Sequence, residues 1–282
     1  LNSWAPQTPE LAEYLPLVGG LLQTSAEKAI ASRKLNAEYQ QLFRRLVLTT
    51  AWQESCWRHY VVSKEKKLVP IRSGTGDVGL MQINERVWRG FYDQQRLRWD
   101  IEYNGAAGAE VLIDYLMKYA IRSGEHKQPG GVSNLARASY SAYNGGPSQV
   151  ARYRSSKASA YGKKVDAAFW DKYQQVAAGN ELGVSNCLGG DLSGPLAVKR
   201  PTAASPAGEF TLQLGAFSSI AAAQAFVKQH KLDSKASVRQ RRKGDTGQYL
   251  VVYGNYTTRA QAENAKKTMV KFQPWIRPVA DL

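Results

Sequence analysis

The feature that most constrains the fold of this chain is a change in composition between about Gly179 and Gly208. The segment is rich in Gly, Ala, Ser and Pro and has no apolar period, which predicts a linker over residues 181–208. The linker divides the 282 residues into one domain at 1–180 and a second at 209–282. We expect its last part, Lys199–Gly208, to be the most mobile segment.

The hydrophobic pattern differs on the two sides of this linker. After it, alternating apolar segments, two helical segments and a hairpin signal at Lys243–Gly247 predict the order β-α-β-β-α-β. The fold class is therefore α+β, with a mainly helical domain followed by a small βαββαβ domain. Before the linker, apolar residues recur at steps of three and four, which predicts helices over about 25–57, 83–91, 100–121, 132–143 and 158–178.

The chain is strongly basic, with 38 Lys and Arg residues against 23 Asp and Glu residues. The net charge of +15 favours an anionic partner, such as a nucleic acid, a membrane surface or an acidic polymer. No stretch reaches the roughly 18 consecutive apolar residues of a transmembrane helix, so none is expected. The sequence begins without signal-peptide features, as a processed chain would, and this leaves export open.

The two cysteines, Cys56 and Cys187, are too few for a disulfide scaffold. They could form one bridge in an oxidising compartment or remain buried thiols, and the sequence leaves both possibilities open. With three histidines and no CxxC pair, the chain lacks the spacing of zinc ligands. Neither a metal nor an organic cofactor is expected.

One glutamate stands out within the first predicted helix. Val47, Thr50 and Glu54 are spaced by three and four residues, so Glu54 should face the core or a cleft. Burial would raise its pKa and keep it protonated near neutral pH, which a general acid requires. A capped or salt-bridged glutamate near a helix end is the structural alternative.

Four short motifs occur in a fixed order along the first domain. Glu54-Ser55 is followed by Gly79-Leu-Met-Gln-Ile83, by Ala142-Tyr-Asn-Gly-Gly-Pro147 and by Tyr161-Gly-Lys-Lys-Val165. Over roughly Tyr39–Tyr173, this ordered set resembles the Slt-type lytic transglycosylases, which share the goose-type lysozyme fold. The resemblance implies a lysozyme-like domain that cleaves the glycan strands of peptidoglycan.

The resemblance also assigns roles to individual residues. Glu54 matches the single catalytic acid of the family, and Ser55 matches the neighbouring residue that contacts substrate. Without the motifs, the tyrosines of this set would be interpreted as ordinary core aromatics. The other implied substrate-binding residues are Gly79, Leu80, Met81 and Gln82 lining the glycan groove, Tyr143 and Asn144 facing the acid, and Tyr161 approaching the carboxylate.

A single carboxylate implies a particular mechanism. Most glycosidases use two carboxylates, so here the substrate would supply the second group. The resemblance implies that Glu54 protonates the bond between N-acetylmuramic acid and N-acetylglucosamine. Glu54 then acts as a base on the muramyl 6-hydroxyl, which gives a 1,6-anhydro end. Asp77 is interpreted as a loop residue bonded to its own turn; if it pointed at the sugar, hydrolysis would become possible.

Residues 209–282 resemble the SPOR domain, a peptidoglycan-binding module. The resemblance rests on Phe210-Thr-Leu-Gln-Leu-Gly-Ala-Phe-Ser218 and on Tyr249-Leu-Val-Val-Tyr-Gly-Asn-Tyr256. Such domains recognise glycan strands without peptides and gather at division septa. Strand alternation predicts a glycan-binding face opposite the helices, formed by Gln213, Phe217, Tyr249, Val251 and Tyr253.

The densest basic run, Arg239–Lys243, falls on the predicted hairpin. It is either a solvated hairpin or a contact for carboxylates of muramic acid or stem peptides. Nucleic acid is not expected as a partner, because the aromatic strings of an RNA-binding sheet are absent. A neutral sugar-binding face predicts weak salt dependence, with Tyr249 more important for binding than Arg241.

These expectations describe a monomeric enzyme in the periplasm of a Gram-negative bacterium, enriched at the division septum. Its partner would be peptidoglycan, including peptide-free strands. A hydrolytic muramidase is the first rival, distinguished by whether the products carry anhydro ends. A non-catalytic peptidoglycan-binding scaffold is the second rival, which the intact glutamate and its motif partners disfavour.

Overall fold

The computed structural model describes residues 1–196, 210–230, 232, 236–240, 249–256 and 258–279. The chain separates into two compact units, Leu1–Val198 and Lys199–Leu282. The segment predicted to be most mobile, Lys199–Gly208, lies outside the described residues. Among the described residues, no helix combines the length and the apolar composition needed to cross a membrane.

The first unit is mainly helical, as the sequence predicts. Four short strands accompany the helices as two antiparallel pairs, β1 (Tyr60–Val62) with β2 (Leu68–Pro70) and β3 (Asp77–Val78) with β4 (Ile83–Asn84). The helices are α1 (Leu11–Arg33), α2 (Ala37–Ser55), α3 (Gln94–Trp99), α4 (Ile101–Tyr115), α5 (Asn134–Gly145) and α6 (Ala160–Ala177), and α4 continues into a π-helical turn, Leu116–Ile121.

Two of the predicted helices are wrong in this unit. The helix predicted over 25–57 is two helices, because Lys34 adopts a left-handed conformation (φ 52°) that separates α1 from α2. The short helix predicted near 83–91 does not form, because β4 pairs with β3 at its start. The spacing of apolar residues continues across both breaks, so periodicity alone did not reveal them.

Helix α2 carries Glu54, the residue that the sequence predicts to be the catalytic acid. It packs against α1, α4, α5 and α6, so its apolar face is enclosed on several sides. The helix ends at Ser55, because the next residue, Cys56, has a positive φ of 53°, and Glu54 therefore lies in its last turn. The fully buried apolar side chains of α2 are Phe43, Leu46, Val47 and Ala51.

Residues 181–196, the first part of the predicted linker, pack on the helical unit. Glu181–Leu188 forms a 3₁₀ helix, and Cys187 within it is disulfide-bonded to Cys56. A Cβ atom at Gly19 would fall 2.3 Å from Cδ2 of Leu196, so this leucine lies directly on α1. The bridge that the sequence left open is therefore present, and it fixes the segment beside the last turn of α2.

The second unit has the predicted order β-α-β-β-α-β. Its antiparallel sheet has the strand order β6-β7-β5-β8 in the described part of the chain. The hairpin turn predicted at Lys243–Gly247 lies outside the described residues, as does Arg241. The elements are β5 (Phe210–Phe217), α7 (Ile220–Gln229), β6 (Ala236–Gln240), β7 (Tyr249–Tyr256), α8 (Arg259–Thr268) and β8 (Trp275–Pro278).

The two helices of this unit cover the sheet face that holds Leu212 and Val251. Both side chains are fully buried, together with Ala223 of α7 and Ala262 of α8. The predicted glycan-binding face is therefore wrong for four of its five members, which belong to or pack against this helix-side cluster. These four are Phe217, Tyr249, Val251 and Tyr253.

For the three residues of β7, the error came from the phase assigned to that strand. Phe217 of β5 changes side because the pairing with β7 shifts register between Gln213 and Gly215. The strand register pairs Leu212 with Tyr253 and Gln213 with Val252. Because paired residues point to the same face, the odd-numbered residues of β7 lie on the helix side with Leu212. Gln213 lies on the opposite face. Both sets of β7 side chains are largely apolar, so alternation could not decide which set meets the helices.

Candidate active site

Glu54 lies in the last turn of α2, where α5 and α6 also meet. The hydroxyl of Tyr140, on α5, donates a hydrogen bond to Glu54 Oε1 at 2.9 Å. Tyr140 is 1% exposed and stacks on Phe169 of α6 with 4.1 Å between ring centroids. The carboxyl therefore has a tyrosine hydroxyl as its partner, and the packing of α5 on α6 fixes the position of that hydroxyl.

The surroundings of Glu54 raise its pKa to about 7. Burial is the largest cause, because it penalises the charged carboxylate. The hydrogen bond from Tyr140 acts in the opposite direction, and the charge of Asp77 raises the pKa further. A carboxyl with this pKa can both donate and accept a proton near neutral pH.

The predicted groove segment, Gly79–Gln82, is fixed to the end of α2. The Ser55 hydroxyl donates to the Leu80 carbonyl oxygen at 2.7 Å. The buried side chain of Asn104 accepts a hydrogen bond from the Met81 N–H at 2.8 Å. The fold thus brings the segment next to the turn of α2 that carries Glu54.

Gly79 is required at its position in this segment. Its φ is +77°, and a Cβ there would lie 2.4 Å from Cε1 of His59 and 2.5 Å from Nδ2 of Asn104. His59 Nδ1 accepts a hydrogen bond from the Leu80 N–H at 3.1 Å, so its other nitrogen donates to the Arg98 carbonyl oxygen at 2.9 Å. Burial lowers the pKa of His59 to about 4, which keeps this ring neutral.

We expect Gly79→Ala to destabilise the protein by about 2 kcal/mol or more, since it combines a strained φ with overpacking. Gly74→Ala is the matched control, because a Cβ at Gly74 meets nothing within 4 Å. The control should change stability by less than about 0.5 kcal/mol. Urea unfolding of both variants provides the measurement, and equal losses would contradict this account of Gly79.

Tyr143 and Asn144 lie at the end of α5 and contact different partners. The Tyr143 hydroxyl donates to the Met81 carbonyl oxygen at 2.5 Å, which ties α5 to the groove segment. Asn144 is exposed, and its Oδ1 accepts from Nη1 of Arg152 at 3.0 Å. Arg152 forms a buried ion pair with Asp166 of α6 at 2.7 Å. Tyr143 therefore joins the Glu54 neighbourhood, and Asn144 lies at its exposed rim.

Tyr161 does not take the place that the sequence predicts for it. It lies in the first turn of α6 and is 74% exposed. The hydroxyl that contacts Glu54 belongs to Tyr140, which the sequence analysis missed. A signal was available, because Tyr140 and Tyr143 are three residues apart and therefore share one face of α5.

Asp77 is bonded to its own turn, as interpreted from the sequence. The hydroxyls of Ser73 and Thr75 each donate to its Oδ2 at 2.5 Å, and the Asn84 amide donates to its Oδ1 at 2.8 Å. Burial acts to raise the pKa of Asp77, but these hydrogen bonds outweigh it and lower the pKa below its usual value. Asp77 is therefore a fixed negative charge near Glu54.

A second candidate site lies on the sheet face opposite the helices of the second unit. Gln213 is the member of the predicted glycan-binding set that lies there, and its Oε1 accepts from Nε of Arg277 at 3.0 Å. Trp275 pairs with Gln213 across the sheet and is 65% exposed. Trp275 and Arg277 were not among the binding residues predicted from the sequence, where β8 was expected only as a last strand, although an exposed tryptophan next to a cation is a binding signal.

Comparison with known protein families finds a match in each unit. Residues 33–165 match the Transglycosylase SLT domain. Residues 206–278 match the SPOR domain. No curated protein and no solved structure gives a significant match.

The class of protein follows from the fold and these matches: a helical, lysozyme-like domain joined to a small sheet domain that binds the cell wall. In particular, the chain contains a transglycosylase SLT domain followed by a C-terminal SPOR domain, as the sequence predicts. The first supports lytic transglycosylase activity on peptidoglycan, and the second supports peptidoglycan binding.

Proposed function

We propose that the chain cleaves the β-1,4 bond between N-acetylmuramic acid and N-acetylglucosamine and leaves 1,6-anhydro-N-acetylmuramic acid ends. The observation that carries this proposal is Glu54, a partly buried carboxyl whose pKa is raised to about 7. An acid of this pKa is suited to give a proton and take one back within a single reaction cycle. Mass spectrometry of the product ends is the test.

The proposed reaction uses Glu54 twice. As an acid, Glu54 gives its proton to the glycosidic oxygen, and the bond from that oxygen to the muramyl C1 breaks. The 2-acetamido oxygen of the substrate stabilises C1 while the leaving strand departs with a free hydroxyl. As a base, Glu54 takes the proton of the muramyl 6-hydroxyl, whose oxygen bonds to C1. The carboxyl ends as it began, and no water is consumed.

The neighbouring residues have supporting roles in this proposal. Tyr140 positions the Glu54 carboxyl and stabilises its charged form. Tyr143 holds the groove segment through the Met81 carbonyl. The remaining residues proposed to contact the glycan strand are Gly79, Gln82, Asn144 and the exposed Tyr161. Three residues predicted to contact it, Ser55, Leu80 and Met81, are buried in the structure, so in this proposal they hold the groove segment in place instead.

Two substitutions should shift the alkaline limit of activity, which is the pH above which activity falls, in opposite directions. Wild-type activity should fall as pH rises through about 7, because Glu54 then loses its acidic proton. Tyr140→Phe removes a hydrogen bond to the carboxylate, so the pKa of Glu54 and the limit should rise. Asp77→Asn removes a like charge, so the pKa of Glu54 and the alkaline limit should both fall. The measurement is the rate at which soluble fragments leave purified sacculi across the neutral pH range.

Ser73→Ala is the control for this pair, because it loosens the Asp77 turn while leaving the aspartate charge in place. It should not lower the alkaline limit. Shifts of the same sign in Tyr140→Phe and Asp77→Asn would contradict the assignment of that limit to Glu54.

A hydrolytic lysozyme is the alternative, and it would need a second carboxylate that directs water to C1. Asp77 is the candidate for that role. Its Oδ2 accepts hydrogen bonds from its own turn and its Oδ1 accepts one from Asn84 on β4, which favours the anhydro-forming reaction.

For the second domain, we propose binding to peptide-free glycan strands in the periplasm of a Gram-negative bacterium, with enrichment at the division septum. Residues 1–180 and 209–282 would act as the catalytic and the targeting domain of a monomer. The full chain carrying Glu54→Gln should sediment with amidase-treated sacculi in preference to untreated ones. Equal sedimentation with both would contradict the preference.

A further inference from the structure

A groove follows the outer edge of β8 in the second unit. Helix α8 bounds it on one side, and Trp275 and Arg277, which point to the sheet face opposite the helices, bound it on the other. The volume of the groove is about 410 Å³, which is within the usual range for ligand sites. Because β8 is the outer strand of the described sheet, the groove can be reached along the length of that strand. We call it the edge groove; its polar and aromatic lining comes from Arg259, Glu263, Lys266, Trp275 and Arg277.

The edge groove carries an excess of positive charge, with three cations against one carboxylate. The carboxylate of Glu263 is 4.0 Å from Arg259, and both side chains are well exposed, so this pair neutralises little. Arg277 uses its Nε for Gln213, and its two terminal nitrogens can still donate outward. The groove is therefore suited to an anionic group.

Trp275 adds a requirement for the shape of the ligand. Its ring is 65% exposed, and the guanidinium carbon of Arg277 lies 5.8 Å from the ring centroid. An exposed indole offers a flat apolar surface next to that cation. A ligand that uses both groups needs a ring face and an anion close together in one residue. In peptidoglycan, N-acetylmuramic acid meets this requirement, because its lactyl carboxyl is attached directly to the sugar ring.

We propose that the edge groove binds the lactyl carboxylate of N-acetylmuramic acid, with Trp275 against the sugar and Lys266 and Arg277 on the carboxylate. This inference rests on the proposed function of the second domain. In an intact strand the same carboxyl is bound in an amide with the stem peptide. Hydrolysis of that amide consumes one water, frees the amine of the peptide and leaves one carboxylate on the sugar. The groove thus recognises peptide-free strands by the charge that peptide removal creates.

The carboxylates of stem peptides are the alternative source of the same chemistry. They lie several bonds from the sugar ring, so they could reach the cations without placing a sugar on Trp275. A peptide-free strand distinguishes the two sources, because it has no stem-peptide carboxylates and keeps the lactyl carboxylates.

The test uses the full chain with Glu54→Gln, so that the strands are bound and not cut. Two ligands are compared: peptide-free glycan strands, and the same strands with their lactyl carboxylates converted to methylamides. Conversion of the carboxylates to methylamides, here called capping, should weaken binding about ten-fold, because it removes charge-assisted contacts with Lys266 and Arg277. Binding of the free acid should also weaken with added salt, in contrast to the weak dependence that the sequence predicts.

Lys266→Ala and Lys267→Ala form a matched pair within the last turn of α8, because only Lys266 lines the groove. Lys266→Ala and Trp275→Ala should weaken binding of the free acid, and Lys267→Ala should bind like the parent chain. Equal binding of free and capped strands, or equal losses in the two lysine variants, would overturn this inference but leave glycan binding intact. Failure to bind either strand would overturn the proposed glycan binding as well.

Discussion

Replacement of Glu54 by glutamine should abolish glycan cleavage while leaving the fold intact. Glutamine keeps the size of the side chain and can accept the Tyr140 hydrogen bond, but it can neither give nor take the proton. Loss of a general acid costs at least about 10²-fold, so activity should fall below about one percent of wild type. Release of soluble fragments from purified sacculi measures it.

The same variant should not lose stability. The folded-state pKa of Glu54, about 7, is above its ordinary value of 4.5, so the folded state holds the proton more tightly than the unfolded state. Stability therefore falls as pH rises between these two values, and above them the charged carboxylate is a net cost. Glu54→Gln removes that cost, so its unfolding midpoint above pH 7 should equal or exceed that of wild type.

Glu102→Gln, at an exposed position on α4, is the matched control and should keep full activity. A Glu54→Gln protein with more than about one percent activity and unchanged stability would contradict the assignment of the general acid.

Removal of the Cys56–Cys187 disulfide should produce the largest change in stability. The bridge joins residues that are 131 positions apart, and closing a loop of this length contributes on the order of 4–5 kcal/mol in the chain-entropy model. The Cys56→Ser, Cys187→Ser double variant should therefore lose a free energy of unfolding of that order. Urea unfolding of wild type with and without a reductant, beside the double variant, measures the effect.

Because Cys56 follows Glu54 by two residues, the loss should also loosen the end of α2. We expect activity of the double variant to fall at temperatures where wild type is still fully active. A reductant should change wild type and leave the double variant unaltered. Free thiols titrating in denatured, unreduced wild-type protein would contradict the bridge itself.

Much of the site could be predicted from the sequence, because its signals are local. The steps from Val47 to Thr50 and Glu54 placed the glutamate on an enclosed helix face, and the structure has it there. Gly79 stood in a short motif, and its positive φ explains why a glycine is needed. The β-α-β-β-α-β order was also predicted, since turn residues and changes of period mark each element.

The features that the sequence analysis missed depend on contacts between distant segments. Tyr140 meets Glu54 because α5 packs across α2. Its spacing from Tyr143 marks a shared face of α5, but no local signal shows that this face meets α2. The faces of β7 were reversed because its pairing with β5 decides which side meets α7 and α8. The break at Lys34 has no glycine or proline to mark it, so the apolar period continued through it.

The reaction itself is tested most directly by mass spectrometry of the fragments released from purified sacculi in water enriched with heavy oxygen. If Glu54 acts alone as acid and then base, the muramyl ends will carry the mass of a 1,6-anhydro sugar, one water below the reducing sugar, and no heavy oxygen. Reducing muramyl ends that contain heavy oxygen, absent from the Glu54→Gln digest, would show that water attacks C1 and that the chain is a hydrolase.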